Sequence, residues 1–193
     1  LAAMTSLVPS TYVSAWRIIN AGPIQHMIAA AVFLAALAVV TVLPVKADDK
    51  PVIVAFGDSL TAGFGLEDDD SFPVRLAAAL RREGVPATVI NSGVSGDTTA
   101  GGRARLEWSL PEAVDLVIVE LGANDGLRGI DPVNTAANLD WILKRLRARR
   151  IPVLLTGMLA PPNLGREYAQ AFDPLFARLA ARRDVAFYPV FLE

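Results

Sequence analysis

The stretch "VIVAFGDSLTAG", Val52 to Gly63, determines the fold class and raises the first question about chemistry. Its opening residues are apolar without alternation, which is typical of a strand buried on both faces of a parallel sheet. The apolar run stops at Gly57-Asp58-Ser59, so a serine stands where a nucleophile could be exposed at a strand end. A serine nucleophile normally needs a histidine base, and the chain has one histidine, His26, far upstream.

Outward from this stretch, short apolar runs alternate with helical patterns along the rest of the chain. Strands are predicted over Val52–Phe56, Ala87–Asn91, Asp115–Leu121, Pro152–Met158 and Val185–Val190. Strands that alternate with helices predict an α/β fold, a three-layer α/β/α sandwich around a doubly wound parallel sheet with strand order 2-1-3-4-5. In such a fold the ligand site lies beyond the carboxyl ends of the strands.

Two predicted helices have clear start signals. Ser71 is predicted to cap a helix that runs through Leu80 and stops at Gly84. Asp131-Pro132 is typical of an N-cap followed by proline at the first helical position, and it opens a helix with one apolar face. That face consists of Leu139, Ile142, Leu143 and Leu146.

Two other helical patterns contain unfavourable residues. The segment around Thr98–Leu110 is predicted to be a weaker helix because it contains two adjacent glycines. The pattern from Tyr168 to Leu179 is interrupted by Pro174, so the helix is kinked there or restarts with Asp173 as its cap.

The composition excludes several classes of function. A formal net charge of -2 leaves no broad basic surface for nucleic acid. One basic cluster lies at the end of a predicted helix, where it complements the helix dipole rather than binding phosphate; it consists of Lys144, Arg145, Arg147, Arg149 and Arg150. The chain has no cysteine, which excludes disulfides, thiolate zinc sites and a cysteine nucleophile.

Residues 27–45, "MIAAAVFLAALAVVTVLPV", form an apolar segment without charge. Arg17 precedes it and the small residue Ala47 follows it, a pattern typical of a secretory signal cleaved near Ala47. An uncleaved membrane anchor is the competing interpretation, because the run is just long enough to span a bilayer. We therefore expect an N-terminal extension with a signal, residues 1–47, and one domain, residues 48–193. The protein would be exported, periplasmic or secreted, with membrane contact only through an uncleaved signal.

Three polar, glycine-containing clusters follow the first three predicted strands. They are "GDSLTAG" (57–63), "NSGVSGDT" (91–98) and "GANDG" (122–126). Each alone is common turn composition, but three at consecutive strand ends predict a site. Ser59 would open a helix with a free N–H, Gly96 can offer another backbone N–H, and Asn124 can offer a side-chain amide. Together these donors could form an oxyanion hole.

The three blocks together resemble those of the GDSL, or SGNH, hydrolases. "GDT" after the second strand and "ELGANDGLRG" after the third are most similar to the periplasmic branch of arylesterases, acyl thioesterases and lysophospholipases, over residues 50–193. The resemblance implies a flavodoxin-like sandwich in which Ser59 is the nucleophile, with Gly96, Asn124 and the Ser59 N–H as the oxyanion hole. It also implies a serine ester hydrolase that acts on small-molecule acyl esters or thioesters through an acyl-enzyme, without a metal or cofactor.

Several residues are expected beside the substrate because they flank the nucleophile or lie in loops after strands. The loops Gly126–Pro132 and Leu159–Tyr168 are expected to border an acyl groove. The expected substrate-binding residues are Asp58, Leu60, Gly126, Leu127 and Pro162. Asp58, like Asp97 and Asp125, is also expected to fix its turn through local backbone hydrogen bonds.

The remaining block of the family, Asp-x-x-His, is expected after the fifth strand and before a final helix. No Asp-x-x-His occurs in the sequence, whose last residue, Glu193, lies just past the fifth predicted strand. His26 precedes the apolar segment and is not expected to reach Ser59. We therefore expect a hydrolase domain that is C-terminally incomplete, lacks its final helix and gives little esterase turnover by itself. A short form that binds ligand without turnover is the alternative.

Two rival functions stay open on the sequence alone. A carbohydrate O-deacetylase could use the same scaffold, and a comparison of acetyl esters with long acyl thioesters would distinguish it. A non-catalytic flavodoxin-like binding module would hold flavin or phosphate, although the sequence has no glycine-rich phosphate cradle of the P-loop type.

Overall fold

The computed structural model describes residues 50–191. The expected N-terminal extension and signal, residues 1–47, lie outside the described residues, as does His26. Between residues 50 and 191, no helix combines the length and the apolar character needed to cross a bilayer.

Five parallel strands form one sheet in the order β2-β1-β3-β4-β5. This arrangement confirms the predicted doubly wound α/β fold and its strand order. Gly57, the last residue of β1, pairs with Gly93 of β2 on one side and with Glu120 of β3 on the other. The carboxyl ends of these three strands therefore lie side by side at one edge of the sheet. The strands are β1 Val52–Gly57, β2 Thr88–Gly93, β3 Leu116–Glu120, β4 Val153–Thr156 and β5 Ala186–Tyr188.

The helices of the described region fill the connections between strands. They are α1 Ser59–Ala62, α2 Phe72–Arg82, α3 Thr99–Ser109, α4 Ala123–Leu127, α5 Pro132–Ala148, α6 Gly165–Phe172 and α7 Leu175–Arg183. Two short 3-10 turns, Asp68–Asp70 and Pro162–Leu164, lie in the loops. Buried side chains of α3, α5 and α7 belong to the main core cluster, whereas Leu76 and Leu80 of α2 are buried outside it. This division is as expected if right-handed crossovers place α2 on the opposite face of the sheet.

The main core lies between the sheet and the helices α3, α5 and α7. The predicted apolar face of α5 is fully buried there, at Leu139, Ile142, Leu143 and Leu146. It belongs to the same cluster as Val54 and Phe56 of β1 and Val117 and Val119 of β3. The alternate residues of β1, Ile53 and Ala55, are buried on the opposite face, which confirms a strand covered on both sides.

Helix boundaries follow the sequence signals more closely than the capping contacts do. Asp131 caps α5 as predicted, since its Oδ1 accepts from Val133 N at 2.8 Å. Ser71 stands at the N-cap position of α2, but its hydroxyl donates to the Asp68 carbonyl at 3.2 Å instead of capping. A short polar side chain can bond either to its helix or to the preceding loop, and the Ser71 hydroxyl bonds to the loop.

The break predicted at Pro174 separates α6 from α7. The predicted capping role of Asp173 is wrong, because its carboxylate accepts from Ala160 N at 2.8 Å and so ties the break to the loop after β4.

Helix α3, predicted to be weak, is a regular helix of 11 residues. Thr98 caps it through Oγ1, which accepts from Gly101 N at 3.3 Å. A Cβ atom on Gly102 would lie 2.3 Å from Leu121 Cδ1 and 3.3 Å from Phe56 Cε1. The glycine that lowers helix propensity therefore allows α3 to approach the sheet closely.

Arg105 of α3 is buried and connects the segments that carry two of the three polar blocks. Its Nη2 donates to Gly57 O at 2.8 Å, its Nη1 to Ser92 O at 2.9 Å, and its Nε to Asp97 Oδ2 at 2.6 Å. The guanidinium carbon lies 4.1 Å from the centre of the Phe56 ring. Arg105 thus fixes the end of β1 against β2 and the loop that follows β2.

Gly102→Ala tests the close approach of α3 to the sheet. Helix propensity alone would make this change stabilising by about 0.5–1 kcal/mol. We expect destabilisation by about 1–3 kcal/mol instead, because the added methyl overpacks the contact with Leu121. Urea unfolding measures the sign, with Ala104→Gly on the exposed side of α3 as the reference for propensity. A rise in the free energy of unfolding for Gly102→Ala would contradict the tight contact.

Arg105→Met tests the buried guanidinium. The change removes the ion-pair partner of the Asp97 carboxylate and one donor from each of two carbonyl groups, so we expect a loss of about 3–5 kcal/mol in the free energy of unfolding. Arg105→Lys should recover only part of that loss, because an ammonium cannot reproduce the fork of donors. The matched control is Arg103→Met, an exposed residue of the same helix, with an expected loss below about 1 kcal/mol. Equal losses at the two positions in urea unfolding would refute this role.

Candidate active site

Ser59 is the first residue of α1, a single helical turn that begins directly after β1. Asp58 caps this turn, since its Oδ1 accepts from Leu60 N at 3.0 Å. The turn ends at Gly63, whose φ of 86° is left-handed, and Gly63 N donates back to Ser59 O at 3.1 Å. The short helix therefore holds Ser59 at the carboxyl edge of the sheet, half-buried.

Asn124 of α4 contacts the turn that carries Ser59 through Asp58. Its Nδ2 donates to Asp58 Oδ2 at 2.9 Å. A carboxylate only accepts, so it fixes the amide with its nitrogen towards Asp58 and leaves the second N–H of that nitrogen for another acceptor. Asp58 is fully buried, and both of its oxygens are bonded to the protein. The local backbone bond expected of Asp58 is present, whereas its contact with Asn124 was not foreseen.

Gly96 lies in the turn after β2 with φ +81°, a conformation that favours glycine. Its carbonyl accepts from Arg128 Nη2 at 2.8 Å. Arg128 directly follows α4, so this bond links the second polar block to the third. No acceptor within residues 50–191 pairs with the backbone N–H of Ser59 or of Gly96.

Asp125 and Asp97 serve the structure with partners other than those expected. Asp125 is buried and accepts from Thr99 N at 2.8 Å, from the Thr99 hydroxyl, and from Thr135 Oγ1 at 3.0 Å. Asp97 is bound by Arg105. The expectation of local backbone bonds is therefore wrong for both residues, because their carboxylates accept from donors on α3 and α5 instead.

Glu120, the last residue of β3, was missed by the sequence reasoning. It is fully buried, and its Oε2 lies 2.7 Å from Thr61 Oγ1 and accepts from Asp58 N at 3.3 Å. Burial, and then the nearby charge of Asp58, raises the pKa of Glu120 to about 8. Burial also raises the pKa of Asp58. The available signal was a lone acidic residue inside the apolar run "LVIVEL".

The expected substrate-binding residues differ in their surroundings. Leu60 is half-buried beside Ser59, Leu127 is 70% exposed at the end of α4, and Pro162 is exposed in the loop after β4. Gly126 is buried, and a Cβ atom there would lie 3.1 Å from Pro161 Cδ. The structure thus joins Asn124 by a hydrogen bond to Asp58, the residue before Ser59, and leaves Leu127 and Pro162 exposed.

Neither an imidazole nor a metal-binding cluster accompanies Ser59 in the part of the chain that the structure describes. The single histidine, His26, precedes that part. Residues 50–191 contain no group of three or more His, Cys, Asp or Glu side chains arranged to hold a metal ion.

Two curated relatives match most of this chain. Esterase TesA of Pseudomonas aeruginosa is 41% identical over 142 residues, which cover 73% of this chain and 71% of the relative. Thioesterase 1/protease 1/lysophospholipase L1 of Escherichia coli K12 is 36% identical over 152 residues, which cover 78% of this chain and 72% of the relative.

Solved structures show the same similarity. The crystal structure of AlinE4, described as an SGNH-hydrolase family esterase, superposes with a TM-score of 0.73 at 49% identity, over 76% of this chain and 79% of that one. The crystal structure of TesA superposes with a TM-score of 0.69 at 40% identity, over 73% of this chain and 79% of that one.

The family comparison covers all three polar blocks and leaves out only the first residues of β1 among the described strands. Residues 55–193 match the GDSL-like Lipase/Acylhydrolase family. This match includes Ser59, Gly96 and Asn124, the residues on which the resemblance was based. The chain therefore belongs to the GDSL-like lipase/acylhydrolase family.

Proposed function

We propose that this protein hydrolyses acyl esters or thioesters with Ser59 as the nucleophile. The observation that carries the proposal is the 2.9 Å bond from Asn124 Nδ2 to Asp58 Oδ2, which holds the amide of the third block beside the serine of the first. The relatives named esterase and thioesterase 1/protease 1/lysophospholipase L1 support an acyl substrate.

In the proposed reaction, Ser59 Oγ attacks the carbonyl carbon while its proton passes to a base. The carbonyl electrons move to oxygen, and the resulting oxyanion accepts from Ser59 N–H, Gly96 N–H and the second amide N–H of Asn124. The C–O or C–S bond then breaks, the leaving group takes a proton, and water later hydrolyses the acyl-enzyme. Donors held in place before the reaction need no reorganisation as charge develops.

Exposed apolar side chains around the site favour an acyl chain over a carbohydrate. Val94, Leu127 and Leu159 lie in the segments that follow β2, β3 and β4, and they are 45%, 70% and 59% exposed. Apolar groups exposed at the carboxyl edge of a sheet are suited to bind a hydrocarbon. We further propose that the apolar segment 27–45 exports the domain, residues 48–193, to the periplasm or beyond.

Binding of acyl esters without turnover is the alternative that the test must distinguish from hydrolysis. Residues 50–191 contain no histidine that could accept the Ser59 proton. The two candidates differ in what an added base would do, because a base is needed only for turnover.

We expect the full chain to hydrolyse p-nitrophenyl butyrate slowly, and added imidazole to raise the rate in a Ser59-dependent way. The reason is that residues 50–191 hold no histidine, and imidazole can act as a general base at a preorganised site. Ser59→Ala is the essential control, because free imidazole cleaves such esters in solution. Identical rates for the two proteins at every imidazole concentration would exclude Ser59 as the nucleophile and leave the binding function.

Asn124→Ala tests the oxyanion hole under the same conditions. We expect the Ser59-dependent kcat to fall on the order of a hundred- to a thousand-fold with a smaller change in KM, since the amide acts mainly once the oxyanion forms. Asn134→Ala, an exposed asparagine of α5, should leave both constants unchanged. A near-normal kcat for Asn124→Ala would reduce Asn124 to a residue that shapes the turn.

A further inference from the structure

Glu120 has a feature that the proposed reaction does not use. Its Oε1 is the one buried side-chain nitrogen or oxygen in the described residues that lacks a hydrogen-bond partner. Its Oε2 contacts Asp58 N and Thr61 Oγ1, which lie on the two sides of Ser59 in the chain. The carboxyl group therefore lies directly beneath the nucleophile turn.

Gly57 makes room for this contact. A Cβ atom at Gly57 would lie 2.1 Å from Thr61 Oγ1 and 2.5 Å from Glu120 Oε2. Any side chain there would push the carboxyl group away from the turn. The glycine before Asp58 is thus required by Glu120 and Thr61, in addition to any need of the turn itself.

The charges around Glu120 favour its uncharged form. Asp58 is the charged group that faces it across the turn. Arg105 lies over the ring of Phe56, on the other face of the sheet. Burial raises the pKa of both carboxyl groups, and Asp58 accepts two hydrogen bonds that favour its charged form. The pKa of Glu120 is raised to about 8, so Glu120 holds its proton at neutral pH.

We propose that Glu120 is a positioning residue that, in its uncharged form, holds the turn from Asp58 to Thr61 and with it the Ser59 N–H of the oxyanion hole. This inference rests on the proposed function of Ser59. Loss of the Glu120 proton would place a second anion beneath the site, in a buried position where repulsion of a developing oxyanion is strong. The site would then stabilise a tetrahedral anion less well at alkaline pH.

The same ionisation predicts how stability depends on pH. The pKa of Glu120 is raised from 4.5 to about 8 in the folded protein. Between these values the unfolded chain loses the proton and the folded chain keeps it, so the contribution of Glu120 to stability declines as pH rises and levels off above about 8. In Glu120→Gln the decline should disappear from the pH dependence of Tm, and it should persist in Glu112→Gln, an exposed control.

Amide NMR of the full chain tests the contact without any turnover. We expect the backbone resonances of Asp58 and Thr61 to titrate with a midpoint near pH 8, and to lose that titration in Glu120→Gln. Thr61→Val removes a hydrogen bond that favours the charged form, so it should move the midpoint to higher pH. Unchanged titrations in both variants, or a midpoint in the range of an exposed glutamate, would overturn the proposal.

Binding of phenylboronic acid tests the effect on the oxyanion hole, because its Ser59 adduct is a tetrahedral anion. The affinity of the wild-type protein relative to Glu120→Gln should be constant below pH 7 and fall about tenfold by pH 9, as expected for a buried charge of like sign. The ionisation of the boronic acid itself cancels in this ratio. A constant ratio would overturn the proposal.

A phenylboronic acid that binds neither protein would count against the proposed function of Ser59. In that case the amide titration still decides whether Glu120 positions the turn, so failure of the function and failure of the further inference are distinguishable.

Discussion

Hydrogen bonding between β1 and its two neighbours aligns Gly57 with Gly93 on one side and with Glu120 on the other. The polar blocks that follow these strands therefore emerge at one level along the carboxyl edge of the sheet. A slip of one residue in either pairing would turn the side chains of a strand to the opposite face and separate the blocks. The hydrogen bond between Asn124 and Asp58 depends on this register, because the two residues follow different strands.

The buried and partly buried carboxylates at this edge have three different kinds of partner. Asp97 has an ion pair with Arg105, Asp125 accepts from hydroxyl and backbone donors, and Asp58 accepts from an amide and a backbone N–H. Glu120 has the weakest set of partners and a raised pKa. Such a concentration of buried acids costs stability and is typical of functional sites rather than of a core.

The fold was largely predictable from the sequence because its signals are local. Apolar runs located all five strands, and the face Leu139–Leu146 located the core side of α5. The family blocks pointed to Ser59, Gly96 and Asn124 as the candidate site residues.

The contacts that hold the site together were not predictable, because each joins residues far apart in the chain. Arg105 reaches Gly57 across 48 positions, and Asn124 reaches Asp58 across 66. The predicted cap at Asp173 failed for the same reason, since Asp173 accepts from Ala160 N, 13 positions away. The cap at Ser71 failed because its hydroxyl donates to the Asp68 carbonyl in the preceding loop. A local pattern shows which groups are polar but not which distant group satisfies them.

The hydroxyl partners of Asp125 have a consequence for motion. Because Thr99 and Thr135 belong to α3 and α5, the segment that carries Asn124 is tied to two long helices rather than to its own loop. Arg128 extends the tie to the loop of Gly96. The carboxyl edge should therefore open as one cooperative unit in amide hydrogen exchange, with neighbouring loops sharing a single opening free energy instead of fraying one by one.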